Sequence, residues 1–156
     1  MVGKFSFSAG IGSLLLACAC YADDGLPADA GFVGRAENIA HVQVEAATLA
    51  LQRSQAGEIR KMARLLQADG STEIERLATL AVENGWPPPV LAGTAPGSAY
   101  SDRDWVDARL AALAATIVMY QEEAEHGANT DLKEFAIETL PTLQERLVAL
   151  RGLHAG

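Results

Sequence analysis

The chain has 156 residues, 49% of them apolar, with 12 Lys and Arg against 20 Asp and Glu. That is the length of one domain, with enough apolar side chain to build a core. An acidic surface repels polyphosphate and anionic headgroups, which sets nucleic acid aside as a partner and leaves no electrostatic route to a membrane.

The first 22 residues differ in composition from the rest. Lys4 precedes an uncharged run, "FSAGIGSLLLACACYA", and the acidic "DDG" follows. A charged start, a short apolar stretch and small residues before a cut predict a signal peptide over residues 1–22 and a single domain over 23–156. The apolar part is too short and too interrupted by Ser and Gly for a transmembrane anchor. The expected location is therefore periplasmic or outer-membrane-associated. "LLAC" (Leu15 to Cys18) also resembles a lipoprotein signal, in which Cys18 would carry a lipid and supply the only membrane attachment. Cys18 and Cys20 both fall in this segment, so the mature domain is expected to have no disulfide and no thiol chemistry. Its balance is 11 bases against 20 acids, a net charge of −9 once Lys4 is removed.

Strand signals are sparse, and Ala, Leu, Glu and Arg dominate. Four segments carry apolar residues at three- and four-residue steps. The first runs from about Gly31 to Ser54, with Phe32, Ala36, Ile39, Val42, Ala46 and Leu49 on one stripe. "SQAG" is a short connection. The second runs from about Glu58 to Asn84, with Ile59, Ala63, Leu66, Gly70, Ile74, Leu77 and Ala81 aligned. "NGWPPPVLAGTAPGSAY" cannot continue a helix and forms a long connection; Trp86 either covers the bundle end or offers a docking edge with the prolines behind it. A third helix starts at Ser101 or Asp102, with Val106, Leu110, Leu113, Ile117 and Tyr120 as its seam. The fourth runs from about Asp131 to Leu150, with Ala136, Leu140, Leu143, Leu147 and Leu150 inward and Pro141 expected to kink it. Two short links and one long one between four amphipathic helices predict an all-α four-helix bundle, with the long loop between the second and third helices.

Within the second segment, "ADGST" raises a local conflict. Asp69-Gly70 is a turn pair, and Thr72 with Glu75 fits a capping box. A turn would reset the helical phase, yet Leu66, Gly70, Ile74 and Leu77 keep it. One continuous helix is expected, with Gly70 as an inward position that has no side chain.

The stretches "FVGRAENIAHVQVEAATLALQRSQAGEIRKMARLLQADG", "SDRDWVDARLAAL" and "DLKEFAIETLPTLQERLVAL" resemble the bacterial envelope proteins of domain of unknown function 4142, which are ferritin-like. The most specific stretch is "LKEFAIETLPTLQERL". The resemblance implies a glutamate in the first helix, matched by Glu45, and one histidine in each later helix. This chain has Gly70, Leu113 and Arg146 at those places, and Asp69 matches the acid that precedes the second-helix histidine. Inward histidines joined by a glutamate suit Fe, Mn or Zn; glycine, leucine and arginine do not. The resemblance thus points to a kept scaffold with a degenerate site. A Glu45 left inward needs a proton or a cation, and Arg146 is the candidate partner, unless it flanks the Leu143/Leu147 stripe and reaches solvent.

Other metal-like patterns are weaker. Glu123 and His126 have Glu-x-x-His spacing, but di-iron bundles use two such motifs and two further glutamates. The ordinary reading places this pair at a solvated helix end. His41 and Glu45 lie four apart and read as a surface pair, while His154 reads as a solvated tail residue. No nucleophile motif or phosphate loop is present. The expectation is a non-enzymatic envelope bundle without a cofactor, acting on a protein or envelope partner. The alternative is a metal-binding or redox protein using His41, Glu45, Glu123 and His126, and a third possibility is a small apolar ligand held between the helices near Gly70.

Overall fold

The computed structural model describes residues 28–91 and 100–155. The signal segment with Cys18, and residues 92–99 of the long connection, lie outside the described residues. Four helices make up the fold: α1 (Ala28–Arg53), α2 (Gly57–Asn84), α3 (Asp102–His126) and α4 (Thr130–Ala155).

Side-chain and backbone caps set the helix ends. Arg60 of α2 donates to the carbonyls of Leu51 and Ser54, satisfying the end of α1 before the three-residue link to α2. Gly85, at φ 66°, closes α2: its N–H reaches the Val82 carbonyl, and the Trp86 N–H reaches that of Ala81. Such left-handed closure favours glycine. Trp86 then packs against the core, which answers the choice between end cover and docking edge in favour of cover. Ser101 caps α3 by accepting from the Asp104 N–H at 3.0 Å, and Asn129 caps α4 by accepting from the Leu132 N–H at 3.0 Å. The sequence-based boundaries agree to within about three residues, except that α4 continues to Ala155.

The helices form two hairpins, α1 along α2 and α3 along α4; α1 then faces α3, α2 faces α4, and the pairs α1/α4 and α2/α3 lie on the diagonals. Tyr120 is the junction, fully buried on α3. Its ring lies 5.1 Å from Phe32 of α1, edge to face, and 5.9 Å from Phe135 of α4. Its hydroxyl donates to Glu73 of α2. Trp105 ties α3 to α1 by donating its indole N–H to the Ala46 carbonyl at 2.9 Å.

Two predicted stripes need correction. On α1 the buried residues after Ala36 are Glu37, Ala40, Ala47 and Ala50, whereas Ile39, Val42, Ala46 and Leu49 are only half-buried. Alanine lets α1 and α2 approach closely, so the tight seam is made of small residues and the larger ones flank it. On α2 the buried residue between Gly70 and Leu77 is Glu73; Ile74 is half-buried. Helix α4 is continuous through Pro141, an exposed residue, and the carbonyl it frees belongs to Ile137, whose side chain is 55% exposed. Water can satisfy that group.

Candidate functional site

Helix α2 runs unbroken through Gly70, as the phase of its stripe requires. The position is buried against α1: a Cβ there would stand 2.9 Å from Val44 Cγ2, 3.2 Å from the Ala40 carbonyl oxygen and 3.4 Å from Gln43 Nε2. Around it, Gln43 donates to the Leu66 carbonyl at 3.0 Å, and Gln67 donates to the Thr48 hydroxyl at 2.9 Å. Close packing of α1 on α2 has taken the space that an imidazole would need.

The other positions compared with the family pattern fall in different surroundings. Leu113 is a buried core residue on α3. Glu45 is exposed, so the expectation that it points inward is corrected. Arg146 is neither its partner nor free in solvent. Its Nε lies 2.7 Å from Asp69 Oδ2, and its second nitrogen, Nη2, lies 3.4 Å from Oδ1. The reason is topological, because α4 lies beside α2 and diagonally across from α1. Asp69, which matches the family's acid before the second-helix histidine, is its counter-ion.

A second buried polar group follows one turn along α2. Glu73 is 8% exposed and accepts from Tyr120. Burial pushes its carboxyl up to about 7, the Tyr120 hydrogen bond opposes that, and the nearby Asp69 charge adds to it. Burial, with the Glu73 charge behind it, drives the Tyr120 phenol far above its ordinary value, so the hydroxyl remains a donor. Arg76 closes this side: its guanidinium lies 4.8 Å from the centre of the Phe135 ring and pairs with Glu138 at 2.7 Å. Asp69, Glu73 and Arg76 line a 230 Å³ groove between α2 and α4, together with Thr72, Thr139 and Thr142.

The weaker metal candidates are not brought together. Glu123 is buried, contrary to its reading as a solvated acid, while the His126 side chain is 74% exposed and lies 3.8 Å from Glu125. Burial raises the Glu123 carboxyl, with the Asp29 charge adding to this and Arg35 and Lys133 opposing it. His41 lies half-buried within range of Glu37, whose carboxyl burial raises and the His41 charge lowers. His154 is not a free tail residue: its Nδ1 stands 2.6 Å from Asp107 Oδ1. Among the described residues, no three His, Cys, Asp or Glu side chains are grouped so as to hold a metal ion. The donor chemistry points the same way at the compared positions. Glycine and leucine offer no ligand atom, and a guanidinium is a donor of protons only.

Taken together, the two hairpins and the polar groups between them define a four-helix bundle. The chain belongs to the family described as "Domain of unknown function (DUF4142)", which matches residues 19–153. No curated protein matches it. Among solved structures it is similar to CopM in the Ag-bound form obtained by soaking, at 15% identity and a TM-score of 0.72, covering 81% of this chain and 95% of that one. CopM in the Cu(I)-bound form gives 14% identity with the same TM-score and coverage. At this identity the likeness speaks for the fold.

Proposed function

We propose that this protein is a non-catalytic helical bundle of the bacterial envelope in which the metal centre suggested by the family pattern has been replaced by protein-only contacts. The observation that carries the reading is the Arg146–Asp69 pair. A cation-bearing side chain stands where the family pattern has a ligand, and the neighbouring acid is already committed to it. The tight fit at Gly70 supports the same view, because no ligating side chain can be accommodated there without moving α1. The charge balance and the apolar start of the chain favour export and action through an acidic surface on an envelope partner. No described helix is long and apolar enough to cross a membrane; lipidation at Cys18 is the means of attachment we propose.

The competing reading is a metal-binding protein, and the solved neighbours named with Cu and Ag make those ions the appropriate probes beside Fe, Mn and Zn. Protein purified without an affinity tag should contain less than about a tenth of an equivalent of any of these metals, a threshold set by ordinary carry-over rather than by a built site. It should also show no saturable 1:1 heat with Ag(I) or Cu(I). Stoichiometric metal, or a saturating titration, would overturn the proposal.

A further inference from the structure

A second groove opens on the opposite side of the bundle, between α1 and α3. It has a volume of about 240 Å³, and Ile39, Val42, Leu66, Leu113 and Leu150 supply most of its apolar wall. Arg109 also lines it. The guanidinium Nε of Arg109 is fully buried and has no hydrogen-bond partner, and no acid pairs with this residue among the described ion pairs. That is unusual in a chain with 20 acids and 12 bases, where counter-ions are abundant. Of the polar side chains that also line the groove, Gln43 donates to the Leu66 carbonyl and Thr116 donates to that of Ala112.

A half-buried guanidinium whose Nε is sealed from solvent with no partner is costly, and an apolar hollow beside it is costly in a different way. A single ligand can relieve both. We propose that the α1–α3 groove binds a small anionic amphiphile, with its carboxylate on Arg109 and its alkyl chain along Ile39, Val42, Leu66, Leu113 and Leu150. Burial alone pushes the Arg109 guanidinium below its ordinary value, and a bound carboxylate would reverse that pressure. The size limits the chain. An apolar cavity of about 150 Å³ holds a six-carbon ring, so 240 Å³ suits a chain of roughly eight carbons with its head at the mouth. The site lies apart from Gly70 and Arg146. The groove does include Leu113, one of the compared family positions, and Gln43, which stands beside Gly70, but metal content and octanoate affinity are separate readouts and Arg109 belongs to none of the metal candidates.

The test is calorimetric titration of the purified protein with sodium octanoate, 1-octanol, octylammonium and sodium acetate. Octanoate should bind 1:1 and at least about tenfold more tightly than the other three, because both the charge-assisted hydrogen bond and the chain contribute. Arg109→Gln should weaken octanoate by about 10- to 100-fold and leave 1-octanol unchanged. Ala112→Phe, which fills the groove from α3 without touching the charge, should abolish octanoate binding while the helical circular dichroism is retained. The second variant decides the matter if Arg109→Gln does not fold. Octanoate binding no tighter than 1-octanol, or unchanged by the Ala112→Phe substitution, would overturn the site.

Discussion

Arg146 of α4 grips Asp69 of α2 from the side, Nε to Oδ2 at 2.7 Å and Nη2 to Oδ1 at 3.4 Å, with side chains only 20% and 26% exposed. Asp69 stands one turn before Glu73 on α2, and its charge is one of the influences that raise the Glu73 carboxyl. The pair therefore does two things. It holds α4 against α2, and it sets a positive charge against Asp69, the carboxylate one turn from Glu73.

Because the pair is partly screened, its loss should cost less than that of a fully buried one. Arg146→Ala and Asp69→Ala should each destabilise by about 1 to 3 kcal/mol in urea unfolding, with Arg146→Ala the worse because it strands Asp69 beside Glu73. The double variant should lose less than the sum of the two. Strict additivity would mean that the contact contributes no coupling.

Gly70→Ala tests the α1–α2 approach. Alanine has the better helix propensity by about 1 kcal/mol, which alone predicts stabilisation. The added methyl, however, would meet Val44 Cγ2 at 2.9 Å and the Ala40 carbonyl at 3.2 Å. Valine is stiff at χ1 and the carbonyl is backbone, so neither yields cheaply. A net loss of about 1 to 2 kcal/mol is expected, reduced when Val44→Ala is added to make room. A gain in thermal stability for Gly70→Ala alone would show that the helices separate more readily than the packing implies.

The buried carboxyl of Glu73 predicts a pH dependence of definite sign. Its folded value is raised from 4.5 to about 7, so between these values the folded chain keeps a proton that the unfolded chain has released. Stability from this group is full below about pH 4.5 and falls as pH rises through 7. The fall is on the order of 3 kcal/mol. Glu37 and Glu123, also raised by burial, act in the same direction. Glu73→Gln keeps an acceptor for the Tyr120 hydroxyl and removes the titration. Its stability relative to the parent chain should rise from pH 5 to about pH 7 and level off above that, and a difference that stays flat with pH would place the Glu73 carboxyl in the ordinary range.

How much of this was legible in the sequence depended on side-chain size and on topology. The α3 seam could be read because Val106, Leu113, Ile117 and Tyr120 are large and in phase, and all four are buried. The α1 face was harder, since alanines occupy both the tight seam and its flanks, and periodicity cannot distinguish one alanine from another. Glu73 was available to a phase argument: it continues the steps Leu66, Gly70 and Leu77, and it was passed over because Ile74 beside it is apolar. Glu123 continues the α3 seam after Thr116 and Tyr120 in the same way. A carboxylate in phase with a core stripe is the signal that both positions carried. The Asp69–Arg146 pair was not available to such reasoning, because it requires knowing that α4 lies beside α2; the sequence offered Glu45 instead, on the diagonal helix.

Asp29 illustrates a contact that no local pattern announces. It lies in the first turn of α1, is 6% exposed, and accepts from the backbone N–H groups of Ala128 at 3.1 Å and Asn129 at 2.7 Å. Asn129 in turn caps α4 through Leu132 and donates to Asn84 at the end of α2 at 2.7 Å. One carboxylate therefore fixes the α3–α4 connection and, through it, the start of α4. Asp29→Ala leaves two amide donors without acceptors, which should cost about 2 to 4 kcal/mol. Part of that is offset, because the Asp29 charge also works against Glu123. Asp29→Asn should fall in between: it relieves the charge and keeps one acceptor oxygen, but it turns an NH2 group toward a second N–H. The local consequence separates this account from general destabilisation. The amides of Leu132 and Lys133 should exchange with solvent about tenfold faster in Asp29→Ala under native conditions, while those in the middle of α2 keep their protection. Uniform acceleration along all four helices would mean that Asp29 supports the bundle as a whole and not the α4 cap.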